Sequence, residues 1–158
     1  MATAQCAHAT AGRHYHQLVI MAMLSMVSMY FLMYAMVDQP SSVYGNLNQF
    51  FMAALMTAPM VVTELLVMRG MYPNARRNAL IIVMSLMVGA AMFLFIRRQA
   101  AITDEQFLRS MIPHHSGAIL MCERAQLQNA ELRELCDAIV ESQREEINLM
   151  AAMLQQRK

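Results

Sequence analysis

Three long apolar runs constrain the fold of this chain more than any other feature of its sequence. Residues 18–37 carry no charged side chain, and about 20 such residues suffice for a helix to cross the hydrocarbon core of a bilayer. Residues 47–68, in which Glu64 is the one charged side chain, and residues 79–96, which have none, are two further apolar runs. A cleaved signal peptide is the competing interpretation of the first run, but its apolar region should be shorter and end in a small-residue cleavage site. The sequence therefore predicts three transmembrane helices in a lipid bilayer, together forming a membrane domain at residues 18–98.

The composition agrees with a membrane protein and excludes several functions. Hydrophobic residues make up 58% of the chain and charged residues 15%, which is too apolar for an ordinary soluble domain. The net charge of +1 and the absence of a basic stripe argue against nucleic acid as a partner. The sequence contains no HExxH, GxSxG or P-loop motif, so we expect no enzymatic activity.

Residues 1–17, before the first run, are predicted to be a flexible tail. The tail holds Cys6, His8, His14 and His16 without the spacing of a zinc finger. These side chains form either a crude soft-metal tail or an inert terminus.

The distribution of basic residues predicts the orientation in the membrane. Arg13 precedes the first span and Arg69, Arg76 and Arg77 lie in the second loop, whereas the first loop has no Lys or Arg. Positive loops stay in the cytoplasm. The amino terminus is therefore expected in the cytoplasm and the carboxy-terminal segment outside the plasma membrane, although Arg97 and Arg98 argue against this.

The carboxy-terminal segment, residues 102–158, is predicted to form two helices outside the membrane. Thr103 resembles a capping residue at the start of the first helix, and Pro113 either bends that helix or begins a new one. The predicted core stripe of the first helix is Phe107, Met111, His114, Ala118, Met121 and Ala125. The second helix follows Asn129, and its stripe is Leu132, Cys136, Ile139, Gln143, Glu146 or Ile147, Met150 and Leu154.

These elements predict an all-α protein with three transmembrane helices followed by an antiparallel helical hairpin. A two-helix hairpin of this length buries little surface alone, so we expect a homo-oligomer in which two hairpins make a four-helix bundle. Folding about Asn129 places Cys122 opposite Cys136, His115 near Gln143, and Met111 near Met150. The two cysteines are soft-metal ligands, a disulfide or small core residues.

The hairpin also holds the candidate metal ligands. The chain is rich in methionine, with nineteen Met, and thioether sulfur beside imidazole nitrogen favours Cu(I) or Ag(I) over zinc. The candidate ligands are Met111, His114, His115, Met121 and Met150, and Gln143 and Glu146 are candidates for supporting them. The alternative is that the adjacent histidines form a solvated or hydrogen-bonded pair with a structural role.

The same residues resemble a known family. Met111, Ile112, His114, His115, Ala118 and Met121 match the paired-histidine pattern of the bacterial domain-of-unknown-function family 305, and the run from Leu135 to Met150 fits it as well. The three apolar runs are similar to membrane-anchored members. The resemblance implies a bacterial protein that binds copper or silver through these Met and His residues and serves metal tolerance. Cys122 and Cys136 depart from many soluble members, which have alanine there.

Two other functions stay open from the sequence. Met52, Met56 and Met60 recur every four residues in the second span, which fits either helix packing or a conduit for a soft monovalent cation. In the other alternative the chain is a structural interaction protein, and its His, Met and Gln side chains bind no metal and only set the packing of the hairpin.

Overall fold

All regular structure in the described part of the chain is helical. The computed structural model describes the backbone of residues 2–156 and the side chains of residues 12–156. Short 3-10 turns at Met33–Met36 and Pro40–Ser42 follow the first helix. The helices are α1 (Ala2–Leu32), α2 (Leu47–Val67), α3 (Ala75–Arg98), α4 (Asp104–Arg124) and α5 (Ala130–Gln156). The predicted all-α class is confirmed for residues 2–156.

Three helical segments are long and apolar enough to cross a membrane, as predicted. They are Gly12–Met36, Leu47–Val67 and Ala75–Arg98. The third helix begins at Ala75 rather than at the predicted residue 79, because the side chain of Asn74 accepts a hydrogen bond from the Arg77 amide at 3.0 Å. An asparagine at this position satisfies an amide that the first turn of a helix leaves free.

The amino-terminal part of the chain differs from the prediction at both ends of the first span. The backbone of residues 2–17 belongs to α1, so the expected tail is helical. This lead is rich in alanine, and extending an existing helix avoids the cost of nucleating a new one. The side chains of Cys6 and His8, candidates for a metal-binding tail, lie outside the described residues. At the other end, α1 stops at Leu32 and a 3-10 turn completes the predicted span.

The chain divides into two compact units that do not follow the predicted boundary. The first, here called the span unit, comprises the chain up to Phe31 together with Phe50–Ala100. The second, the helix-pair unit, comprises Leu32–Gln49 and the chain from Ala101 onward. The first loop therefore belongs with α4 and α5, although the sequence groups it with the membrane domain.

The span unit is built on a close approach between α2 and α3. Gly89 is buried, and a Cβ atom at that position would lie 3.2 Å from the Cβ of Ala58. Small residues allow helices to approach in this way. A separate buried cluster joins Leu18 of α1 to Val61 and Leu65 of α2.

Glu64, in α2, has a hydrogen-bonding partner in the loop that follows that helix. The hydroxyl of Tyr72 donates to Oε1 of Glu64 at 3.3 Å. Burial of the phenol and the neighbouring carboxylate raise the pKa of Tyr72, because both disfavour the phenolate. Tyr72 therefore stays protonated and keeps the acidic side chain satisfied.

In the helix-pair unit, α4 and α5 pack against each other along their length. Thr103 caps α4, as predicted, by accepting from the Gln106 amide at 3.4 Å, and α4 continues without a break through Pro113. Asn129 caps α5, because its side chain accepts from the Glu131 amide at 2.7 Å. The core of the pair consists of Leu108, Ile112, Met150 and Leu154.

The buried stripe of α4 is displaced by one position from the predicted one. Ile112, His115 and Ile119 are buried, whereas Phe107 is 48% exposed and Met121 is 54% exposed. Residues 107 to 121 carry two apolar stripes at helical spacing, and the contact with α5 selects one of them. On α5 the predicted stripe agrees with the structure at Met150 and Leu154, which are buried, but not at Leu132, which is 48% exposed.

Candidate functional site

His115 is held between α4 and α5 by hydrogen bonds to both ring nitrogens. Its Nδ1 lies 2.9 Å from the backbone carbonyl oxygen of Met111, one turn earlier on α4. Its Nε2 lies 2.6 Å from Oε2 of Glu146 on α5. The His115 side chain is 9% exposed and that of Glu146 is 49% exposed, so the pair connects a buried ring to the protein surface.

The two contacts determine which nitrogen of His115 can serve as a ligand. A carbonyl oxygen only accepts, so Nδ1 carries the hydrogen of its contact with Met111. Nε2 then shares a proton with Glu146, either as an imidazolium donating to a carboxylate or as a neutral ring accepting from a carboxylic acid. Without this proton, Nε2 would have a lone pair directed toward α5. A backbone carbonyl on the other nitrogen is the usual way in which a metal-ligating histidine is oriented.

Two of the candidate methionines lie in the core of the helix pair. Met150 is buried there, and Met111 packs against the same cluster. Met111 also holds the His115 ring through its carbonyl group. Met111 and Met150 thus share one cluster, and each lies four residues along its helix from a partner in the contact between His115 and Glu146.

The other two predicted ligands lie on the exposed stripe of α4. His114 is exposed, and its ring meets that of His115 edge to face with centroids 6.0 Å apart. Met121 lies two turns beyond His114 and is 54% exposed. The structure does not bring His114 and Met121 together with Met150.

The partner of His115 on α5 is Glu146 rather than the expected Gln143. We expected an imidazole to face the neighbourhood of Gln143, whereas Nε2 of His115 contacts Glu146, three residues later on the same helix face. Glu146 therefore contacts the ring of a candidate ligand directly. The hydroxyl of Ser142 donates to its second carboxylate oxygen, Oε1, at 3.2 Å.

Cys122 and Cys136 form a disulfide that links α4 to α5 near the turn between them. Their Cα atoms lie 5.2 Å apart. Of the three roles that the sequence left open for these cysteines, the structure has the disulfide. Beside it, the guanidinium of Arg144 forms an ion pair with Glu123, so a second link crosses the same end of the helix pair.

Three contacts that attach the first loop to α4 were not predicted from the sequence. The amide of Asp38 donates to Oγ of Ser116 at 2.9 Å. A Cβ atom at Gly117 would lie 3.3 Å from the carbonyl oxygen of Met36, so a small residue is needed there. The amide of Leu47 donates to Oε1 of Gln106 at 2.9 Å. Two small residues directly after the paired histidines were the signal for this close approach.

The usual nitrogen, oxygen and thiol ligands of metals do not form a cluster of three among the described side chains. No three His, Cys, Asp or Glu side chains converge as a metal-binding group in the part of the chain whose side chains are described. Thioether sulfur is a further kind of ligand. On α2, however, Met52 is 39% exposed and Met56 45% exposed, so they lie away from the helix face that packs in the span unit.

The fold and this site define a class of protein: an all-helical chain with three helices apolar enough to span a membrane and a disulfide-linked helix pair. The chain belongs to the family described as "Domain of unknown function (DUF305)", which matches residues 52–154. It is also 35% identical over 115 residues to an uncharacterized protein of Acanthamoeba polyphaga mimivirus, covering 72% of this chain and 74% of that protein. No solved structure matches the chain. The family resemblance of the paired-histidine segment is thus confirmed.

Proposed function

We propose that this chain is a membrane-anchored protein whose helix pair binds a soft monovalent cation, Cu(I) or Ag(I), for copper homeostasis or resistance, without catalysis. The observation that carries the proposal is the orientation of His115. The Met111 carbonyl holds Nδ1 at 2.9 Å, so Nε2 is directed at Glu146 on α5, and Met111 and Met150 lie in the core of the same helix pair.

In the proposed site the cation takes the place of the shared proton on Nε2. The thioethers of Met111 and Met150 supply the soft ligands that favour Cu(I) and Ag(I) over harder ions. Glu146 leaves the ring but stays nearby, so its carboxylate balances the charge of the cation. Because binding displaces a proton from the His115–Glu146 pair, uptake of the ion releases a proton into the buffer.

Equilibrium binding of Ag(I) to the full-length protein in detergent tests this site. His115→Ala and Met150→Leu are expected to weaken Ag(I) binding by about tenfold or more, because even mutations of residues that only support metal ligands lower metal affinity by that factor. The matched controls are His114→Ala and Met121→Leu, which change the same residue types on the exposed stripe and leave binding unchanged. Equal losses in both sets contradict the proposed ligands.

A second candidate, a structural protein without metal, is favoured by the hydrogen bond between His115 and Glu146. This contact satisfies the buried ring without any ion. The candidate predicts no copper or silver in protein purified without chelator, and a loss of stability in His115→Ala with no change in Ag(I) uptake. Copper uptake into vesicles that depends on Met52, Met56 and Met60 is the result that would favour a conduit instead.

We further propose that the three helices cross a bacterial plasma membrane with the amino terminus in the cytoplasm and the helix pair outside. The basic loop residues support this orientation. So does the disulfide between Cys122 and Cys136, because disulfides persist in oxidising compartments. The packing of residues 32–49 with α4 and α5 also fits, since three spans place both segments on one side.

Cysteine labelling in intact cells tests the orientation with a control built into the chain. After mild reduction, a membrane-impermeant maleimide should label Cys122 and Cys136, whereas Cys6 should react only after lysis. Labelling of Cys6 in intact cells, with the pair protected, reverses the orientation.

We propose a homo-oligomer in which a second copy covers the open face of the helix pair. Large apolar side chains are exposed on this face, where a soluble segment would normally carry polar ones. They are Phe107 (48%), Met121 (54%), Leu135 (56%), Leu149 (57%) and Met153 (42%). On α5 the last three lie away from Arg144, which lines a cavity with Asp38, Gln39, Ser41 and Ser42 of the first loop. The same stripe from a second copy completes a four-helix bundle by a self-complementary contact.

Light scattering in detergent tests this oligomer, because Leu149→Glu should yield a monomer and Glu145→Ala should not.

A further inference from the structure

The disulfide between Cys122 and Cys136 lies in a surface cavity with an acidic lining. The cavity has a volume of about 440 Å³ and is separate from the His115 contact. The two cysteines share it with Glu123, Asp137, Val140, Glu141, Arg144 and Glu145. We infer that, when the disulfide is reduced, Cys122 and Cys136 form a second soft-cation site of two thiolates, and that oxidation closes this site.

The helices hold the two sulfur atoms opposite each other independently of the bond between them. The Cα atoms are 5.2 Å apart on α4 and α5, and both residues are half-buried. The ion pair between Arg144 and Glu123 and the contact between His115 and Glu146 also join these helices. After reduction the thiols therefore remain neighbours, and one cation can contact both.

The charges around the cavity favour a cation. Four carboxylates line it, those of Glu123, Asp137, Glu141 and Glu145, against the single guanidinium of Arg144. A cleft lined by one sign of charge raises the local concentration of ions of the opposite sign. Thiolate is the softest ligand that a protein offers, so the site selects Cu(I) or Ag(I) from the cations that the carboxylates attract.

Opening and filling the site is a balanced exchange. A dithiol, or two molecules of a thiol, supplies two electrons and two protons to the disulfide, and the reductant becomes a disulfide itself. The resulting thiols then lose two protons as the cation binds both sulfur atoms. On reoxidation a small disulfide accepts two electrons from the thiolates and two protons from the buffer to become two thiols, while the bond between Cys122 and Cys136 re-forms and the cation is released.

The test compares oxidised and reduced protein with Ag(I) as the probe. Full-length protein carrying Cys6→Ser is reduced, freed of reductant under argon, and titrated with Ag(I) in detergent. The reduced protein should bind one more Ag(I) than the oxidised protein and show an ultraviolet thiolate-to-silver absorption. In the same background, Cys122→Ser with Cys136→Ser should abolish the extra ion, while circular dichroism confirms that the helices are retained.

Two results overturn the inference: no extra ion on reduction, as a purely structural disulfide predicts, or an extra ion that persists in the double serine variant. A separate variant tests the acidic lining. Glu141→Gln with Glu145→Gln should slow loading of the reduced protein at low salt and leave the stoichiometry unchanged. Failure of the His115 site is distinguishable, because it removes Ag(I) bound to the oxidised protein and leaves the extra ion on reduction intact.

Discussion

Nε2 of His115 lies 2.6 Å from Oε2 of Glu146, and this contact joins α4 to α5. Removing the carboxylate in Glu146→Ala leaves a buried ring nitrogen without its partner. A hydrogen bond to a charged group contributes about 1.5–3 kcal/mol. Because Glu146 is 49% exposed and water can replace it in part, we expect a loss near the lower limit.

Unfolding of the full-length protein in detergent, followed by circular dichroism, measures this loss. Glu134→Ala is the matched control, since it removes an exposed glutamate from the same helix. Equal stability of the two variants would show that the contact contributes nothing.

The disulfide should be the strongest single link in the helix pair. Cys122 and Cys136 are 14 residues apart in sequence, and closing a loop of this size stabilises a fold by about 3 kcal/mol. Replacing both with serine should lower the free energy of unfolding by that amount and expose α5 amides to hydrogen exchange. Cys6→Ser, which removes the third cysteine, should change neither quantity.

In the span unit, Gly89 sets the distance between α2 and α3. A Cβ atom at this position would lie 3.2 Å from that of Ala58, so Gly89→Leu forces the helices apart and should cost about 1–3 kcal/mol. Gly89→Ala requires a shift of only a few tenths of an ångström and should cost less. Gly70→Ala is the control, because nothing lies within 4 Å of the added methyl group. Thermal unfolding in detergent should rank the three variants in this order.

Ser116 attaches the first loop to α4 and is 1% exposed. Ser116→Ala leaves the amide of Asp38 without its acceptor at 2.9 Å, which should cost about 1 kcal/mol. Hydrogen exchange measured by mass spectrometry should show faster exchange for residues 32–40. Ser28→Ala, at an exposed position of α1, should leave that exchange unchanged. Unaltered exchange in Ser116→Ala would mean that the loop is held by its other contacts alone.

The helical elements could be predicted because their signals are local. A helix cap at Thr103, uninterrupted apolar runs and a turn at Asn129 each depend on a few adjacent residues, and all agree with the structure. Counting residues away from the turn also placed Cys122 opposite Cys136, as found, although the same count placed His115 near Gln143 rather than Glu146.

The candidate site could be predicted only in part, because helical spacing does not decide between two apolar stripes on α4. The stripe through Phe107 and Met121 satisfies the same three-and-four spacing as the stripe through Ile112 and Ile119. Contact with α5 buries the second one. That choice places His115 inside and His114 outside, although the two are adjacent in sequence and chemically identical.

The sequence by itself determined the helical class, three helices able to cross a membrane, the membership of the methionine and histidine segment in its family, and the burial of Met150 and Leu154 on α5. These depend on the lengths and periods of local runs. Only the tertiary structure decided that Glu146 rather than Gln143 contacts His115, that the cysteines are joined, and that residues 32–49 pack on α4 through Ser116 and Gly117. Each of these contacts joins residues that are distant in the chain, so its partner is chosen by packing and by the need to satisfy buried polar atoms.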